Sequence, residues 1–195
     1  MKKLAVIFPG IGYTAEKPLL YYAGKLAKEH GYETVNVAYS GFPEKVKGDR
    51  AKMEESFRIV MKASKKMLKE LDLSGYGDIL FIGKSIGTIA AAKLASESPL
   101  RDRIRLLLYT PLEDTFSFDF GEAAAFTGDA DPWVGGEKSR ISRICAERGI
   151  PCMRIPGANH SLETGNAEPD LRNLCRVMQE TECFIRKMEN GGDGR

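Results

Sequence analysis

Residues 78–88 read Asp78-Ile79-Leu80-Phe81-Ile82-Gly83-Lys84-Ser85-Ile86-Gly87-Thr88, an apolar run that stops at a glycine, with a serine two residues on and a second glycine two beyond that. The chain continues Ala90-Ala91-Ala92-Lys93-Leu94-Ala95, strong helix formers with small side chains. The stretch therefore reads as a buried strand turning directly into a close-packed helix. A reversal that sharp around one residue strains the backbone there, and side chains at the flanking positions would collide with the neighbouring strand and helix. Gly83 and Gly87 remove those collisions. Ser85 is left at the tip of the turn, and the Ile86 N–H at the helix start is free to stabilise a developing negative charge. With 20 glycines in the chain the bare spacing is weak evidence, and the strand-to-helix context carries it. The same residues also fit a lysine and a serine in a plain connection between strand and helix. A phosphate-binding loop is rejected, because the glycine it needs five residues before Gly83 is Asp78, and the residues between form the apolar strand.

Upstream, Lys3 to Phe8 predicts a first strand, Pro9-Gly10-Ile11-Gly12-Tyr13 a turn, and Glu16 to about His30 a helix with Pro18 in its first turn and Gly31 past its end. Leu19, Leu20, Ala23, Leu26 and Ala27 recur every three or four residues and give that helix an apolar face. Thr34 to Ala38 reads as the second strand and Tyr39 to Gly48 as a loop. A long helix follows from about Asp49 to Leu71, burying Met53, Phe57, Val60, Ser64, Met67 and Leu71. Downstream, Pro99 closes the helix after Ser85 and Ile104 to Tyr109 forms the fourth strand. The irregular segment carrying Phe116, Phe118 and Phe120 holds no inserted helical cap; its aromatics read as packing side chains, with a pocket mouth as the alternative. Ala123 to Phe126 is the fifth strand, Glu137 to Arg148 a helix, Cys152 to Ile155 the sixth strand, and Pro169 to Met188 a last helix. That helix is expected to bury Leu171, Leu174, Cys175, Met178, Cys183 and Ile185, and the glycine-rich residues 190–195 read as a disordered tail.

Strands alternating with helices specify the α/β class: a three-layer α/β/α sandwich around a six-stranded, mostly parallel sheet. At 195 residues, 43% hydrophobic and 29% charged, with no linker, the chain reads as one domain over residues 1–189. Its formal net charge of +2 comes from interspersed residues of both signs, which argues against a nucleic-acid or membrane surface. The first apolar run ends at Pro9-Gly10, too short for a signal peptide or a membrane span. Four cysteines without C-x-x-C spacing and only two histidines indicate neither a metal site nor a disulfide scaffold, and the thiols read as reduced, cytoplasmic and packed in the core.

In parallel sheets of this class ligands bind beyond the carboxyl ends of the strands. Ile11, Ser85, Asp129, Asp131 and His160 all follow strands and converge on that edge, whereas His30 precedes a strand and falls at the opposite edge, where it would cap a helix C-terminus. His160 is thus the only usable base. A neutral serine hydroxyl is a weak nucleophile, an imidazole can take its proton near neutral pH, and a carboxylate fixes the imidazole tautomer. Gly10-Ile11-Gly12-Tyr13-Thr14-Ala15 formally matches a dinucleotide fingerprint, but Ala38-Tyr39-Ser40 stands where the ribose-binding acid should be.

The chain order Ser, Asp, His resembles that of the α/β-hydrolase superfamily, and the small, cap-less, dienelactone-hydrolase-like serine hydrolases within it. Gly83-Lys84-Ser85-Ile86-Gly87 looks like the nucleophile elbow, Gly128-Asp129-Ala130-Asp131-Pro132 like the acid turn and Asn159-His160-Ser161-Leu162 like the histidine loop, so the resemblance spans nearly the whole chain. It implies an abridged fold lacking the first two strands, with Ser85 as nucleophile, His160 as base and Asp131 as acid. Asp131 is favoured over Asp129 because a carboxylate immediately before the proline fits the family pattern. The N–H groups of Ile86 and Ile11 would be the oxyanion donors. A small-molecule acyl substrate would be cleaved at an ester, thioester or amide through an acyl-enzyme, with no metal or organic cofactor. Two departures, Lys84 where histidine is common and Pro9-Gly10 where His-Gly is common, bear on specificity, and Lys84 is expected to face solvent. A non-catalytic ligand-binding or scaffold protein on the same fold, and an acyltransferase using the same residues, are the alternative functions.

Overall fold

Along β1 (Lys2–Phe8) the side chains of Leu4, Val6 and Phe8 pack to one side and those of Ala5 and Ile7 to the other, and all five are buried. A strand that is apolar on both sides belongs inside a sheet covered on both faces. The computed structural model describes residues 1–134 and 140–187 and has that arrangement. Around β1 stand β2 (Tyr32–Asn36), β3 (Tyr76–Lys84), β4 (Ile104–Tyr109), β5 (Ala123–Gly128) and β6 (Cys152–Ile155), in the order β2-β1-β3-β4-β5-β6, every neighbouring pair parallel.

Helices α1 (Pro18–Glu29) and α5 (Ala167–Arg186) cover the Ala5 and Ile7 face. Helices α2 (Arg50–Lys69), α3 (Ile86–Ser96) and α4 (Ile141–Glu147) cover the other, together giving the three-layer α/β/α fold. From β1 the chain moves outward to β2 through α1; from β3 it moves the opposite way to β4 through α3. Crossovers of one hand running in opposite directions must place their helices on opposite faces, and the crevice where the direction reverses opens between the carboxyl ends of β1 and β3.

Local signals account for most boundaries. Pro18 begins α1, and Gly31, at φ +80°, takes the left-handed turn that ends it. The Asp49 side chain accepts the Lys52 N–H at 3.1 Å and caps α2. Between β4 and β5 the aromatic segment holds only a short 3₁₀ turn, Glu113–Ser117; Phe116 is buried, and Phe118 and Phe120 pack partly buried against the same core.

Three expectations are corrected. β2 starts at Tyr32, two residues before the apolar run that predicted it, because Tyr32 is held by a buried polar cluster. Its hydroxyl hydrogen-bonds Asp78, and the Arg105 guanidinium lies 2.7 Å from that hydroxyl and 3.2 Å from the Asp78 carboxylate. Arg105 also donates to the Phe184 carbonyl at 2.7 Å, tying α5 to the amino edge of the sheet. The face of α5 that packs inward runs through Leu174, Val177, Thr181, Phe184 and Ile185, with Leu171, Cys175 and Cys183 left exposed, so two of the four thiols are not core residues. His30 does end α1 at the amino edge, but its ring reaches Glu182 of α5 at 3.3 Å. The helix start expected at Glu137, its end at Met188 and the tail at 190–195 lie outside the described residues. Among the described residues no helix is long and apolar enough to cross a membrane.

Candidate active site

At the end of β3 the chain turns into α3 through Ser85, whose backbone sits at φ 55°, ψ −124°. That is a strained conformation for a residue with a side chain, and it is held from several directions. The Ser85 N–H donates to the Tyr109 carbonyl of β4 at 3.0 Å, and its carbonyl accepts the Thr88 N–H at 2.8 Å and the Thr88 hydroxyl at 2.6 Å. The Thr88 hydroxyl is itself 2.7 Å from that of buried Thr115. The flanking glycines have the reason read from the sequence. A Cβ on Gly83 would lie 2.8 Å from the Thr88 Cα of the helix, and one on Gly87 would lie 2.1 Å from the Phe8 carbonyl oxygen of β1.

Ser85, Asp131 and His160, far apart in sequence, meet in one chain of contacts. His160 Nε2 lies 2.8 Å from Ser85 Oγ, and His160 Nδ1 lies 2.6 Å from Asp131 Oδ2. Asp131 is fully buried, and its other oxygen accepts the Trp133 N–H at 2.9 Å. A buried carboxylate that only accepts requires the proton on Nδ1, which leaves Nε2 as the acceptor for the serine hydroxyl. Burial holds the His160 pKa below its ordinary 6.5; the Asp131 hydrogen bond opposes this, and the charges of Lys84 and Lys47 add to it. The imidazole is therefore neutral, and able to accept a proton, somewhat into the acid range. Trp133 leans on its face, the ring centroids 5.4 Å apart.

The second candidate carboxylate is elsewhere. Asp129 binds Arg154 at 3.0 Å and accepts the Gly157 N–H, anchoring the segment that leads to His160 without touching the ring. Ile11 and Ile86, whose N–H groups are the expected oxyanion donors, both line the cleft beside Ser85, and neither N–H has an acceptor among the described residues. The Ile11 N–H is presented by a tight turn in which Gly10 and Tyr13 exchange backbone hydrogen bonds of 3.1 and 3.3 Å. The cleft encloses about 230 Å³.

Lys84 overturns an expectation. It is 1% exposed, and its ammonium lies 4.9 Å from the centroid of the Tyr13 ring. Burial pulls its pKa down to about 7, with Asp131 opposing and Lys17 assisting the fall. Strand parity explains the placement: Leu80, Ile82 and Lys84 point to the α1 face, where the Tyr13 turn folds over the last of them. That parity was present in the sequence; the turn that covers it was not. Trp133 and the Thr88 to Thr115 bridge were missed as well, since neither side chain carries a spacing signal. Among the described residues no group of three or more His, Cys, Asp or Glu is arranged to hold a metal ion.

No protein-family model and no curated protein matches the sequence. Solved structures do match. An α/β hydrolase of undetermined function from Agrobacterium tumefaciens superposes with a TM-score of 0.66 at 17% identity, over 98% of this chain and 87% of that one. The chain has the α/β-hydrolase fold. Est1E from Butyrivibrio proteoclasticus matches this fold with a TM-score of 0.64 at 16% identity, over 94% and 87% of the two chains. A lidless α/β serine hydrolase from Xanthomonas campestris gives 0.60 at 14% identity, over 95% and 82%. In this α/β-hydrolase fold the Ser85 crevice is built between β1, which leads to the Ile11 turn, and its neighbour β3.

Proposed function

We propose that the protein is a serine hydrolase that cleaves a carboxylic ester, thioester or amide through an acyl-enzyme. The observation that carries this reading is the continuous Asp131 to His160 to Ser85 hydrogen-bonded chain, 2.6 and 2.8 Å, ending on a serine at a strained elbow. Ser85 Oγ attacks the substrate carbonyl carbon as His160 Nε2 takes its proton, and the carbonyl π pair moves onto oxygen opposite the Ile86 and Ile11 N–H groups. When that pair returns, the bond to the leaving group breaks and His160 delivers the proton to the departing atom. A water molecule then repeats the sequence on the acyl-enzyme, giving the carboxylic acid and restoring Ser85. Asp131, which accepts from Nδ1–H, fixes the tautomer of the ring and stabilises the imidazolium. The structural likeness to hydrolases, one of them an α/β serine hydrolase without a lid, supports the reaction class.

Intact-mass analysis after treatment with a fluorophosphonate tests the reading. One adduct is expected, mapped to Ser85 and absent in Ser85→Ala. Labelling that persists in Ser85→Ala removes the assignment, and a folded wild-type protein that takes no label favours a non-catalytic role on this fold.

A further inference from the structure

Among the described residues the lining of the Ser85 cleft carries charge of one sign: Lys17 and Lys84 both line it, and no described aspartate or glutamate does. The two ammonium groups approach the same aromatic ring, Lys17 at 5.4 Å and Lys84 at 4.9 Å from the centroid of Tyr13. A third, Lys47, stands 5.9 Å from the ring centroid of Trp133, whose ring lies tilted against that of His160. Of the described acidic side chains that act here, fully buried Asp131 is hydrogen-bonded to His160 and the Trp133 N–H while its charge also reaches Lys84, and exposed Glu163 acts on the Tyr13 hydroxyl from outside the cleft lining.

Lys84 is the informative member. Its side chain is almost wholly buried, yet among the described residues its ammonium contacts the Tyr13 ring and no hydrogen-bonding acceptor. A buried cation without an acceptor is costly, and a π face recovers only part of what water would supply. Had this position served packing alone, a methionine or leucine would fill the same space without that cost. A carboxylate entering the cleft would supply an acceptor that no described side chain provides.

We propose that the cleft binds substrates carrying a carboxylate besides the scissile carbonyl, with Lys84 as its charged anchor inside the cleft and Lys17 completing the grip at the mouth. The inference rests on the hydrolase reading for its choice of substrate, but anion binding does not itself require turnover. A carboxylate entering the cleft gives Lys84 a charge-assisted hydrogen bond at a side chain almost wholly buried, where such bonds are strongest. Lysine, a point charge on a flexible stem, accepts carboxylates at several distances from the ester. The selectivity therefore concerns charge more than chain length.

The test uses the full chain and the monomethyl esters of succinate, glutarate and adipate, each beside its uncharged dimethyl ester. Initial hydrolysis rates are followed in a pH-stat at pH 7, and binding of the same compounds to Ser85→Ala is followed by calorimetry. For the best-fitting length the charged ester is expected to be favoured by at least about tenfold in kcat/KM and in affinity. That preference should fall to near unity in Lys84→Met and by a smaller factor in Lys17→Gln, whose exposed side chain can change without disturbing the core. Equal treatment of charged and neutral esters by the wild type, or a preference unchanged in both lysine variants, overturns the proposal. Charge-selective binding without hydrolysis would keep the anion site and reject the hydrolase, whereas hydrolysis without charge selectivity would do the reverse.

Discussion

Replacing Gly87 by alanine adds one methyl group, and the structure says where it goes. The new Cβ would lie 2.1 Å from the Phe8 carbonyl oxygen and 2.6 Å from that of Pro9. A carbon and a carbonyl oxygen normally approach to about 3.3 Å, so β1 and the elbow must part by roughly 1 Å. Both sides of the contact are backbone, and no side-chain rotation relieves it. Overpacking of this kind costs about 1–3 kcal/mol or more. In a chain of this size each kcal/mol lowers Tm by about 2–4 °C, which puts the expected loss at about 2–12 °C. The part of β1 that is pushed leads directly into the turn presenting the Ile11 N–H. A shift of about 1 Å there would cost on the order of 100-fold in the rate of fluorophosphonate labelling, beyond any loss of folded protein. Gly10→Ala is the control, since its Cβ would meet nothing nearer than the Lys84 carbonyl at 3.2 Å. Thermal melts monitored by circular dichroism, with labelling rates measured well below the transition, separate the two effects. If Gly87→Ala melts and labels like the wild type, the close contact between strand and elbow is not what demands glycine there.

Asp131→Asn should keep the fold while lowering turnover by up to about 10⁴-fold, because the amide facing Nδ1 favours the wrong imidazole tautomer. Asp129→Asn retains an acceptor for the Gly157 N–H, loses only the half-exposed pair with Arg154, and should cost less than about tenfold; steady-state kinetics that rank the two the other way would move the acid to position 129. The acid limb of kcat/KM is expected below pH 6.5, where burial has lowered the His160 pKa and the base stays neutral. Lys84 loses its proton only near pH 7 and is a cation throughout that limb, so Lys84→Met should move the limb upward, and a limb that stays where it is would show that its charge does not reach the imidazole.

The architecture was legible because it rests on periodic signals. The six strands and the helices between them follow from apolar runs, capping residues and glycine or proline boundaries, and the order Ser85, Asp131, His160 follows from what stands after each strand. What escaped depends on neighbours remote in sequence. Lys84 was read as exposed because lysine usually is, and only the turn carrying Tyr13 buries it. Trp133 meets His160 across a loop, and Thr88 meets Thr115 across the connection between β4 and β5. The apolar face of α5 was misjudged because Leu171, Cys175 and Cys183 are apolar enough to pass as core residues. The buried face instead includes Thr181, whose hydroxyl lies 2.5 Å from that of Tyr109. The early start of β2 has the same origin, in Tyr32 meeting Asp78 and Arg105 across three strands.

An open sheet raises a problem of self-association, because a strand at the border presents a row of unpaired N–H and C=O groups that another chain can extend. Here the two bordering strands, β2 and β6, are also the shortest, five and four residues against six to nine for the rest. Each carries charge, Glu33 in β2 and Arg154 in β6. Glu33 accepts the Tyr76 hydroxyl at 2.6 Å and Arg154 is held by Asp129, so the charges are stationed along the borders by partners on the same molecule. Neither border of the described sheet thus offers a long apolar template for aggregation.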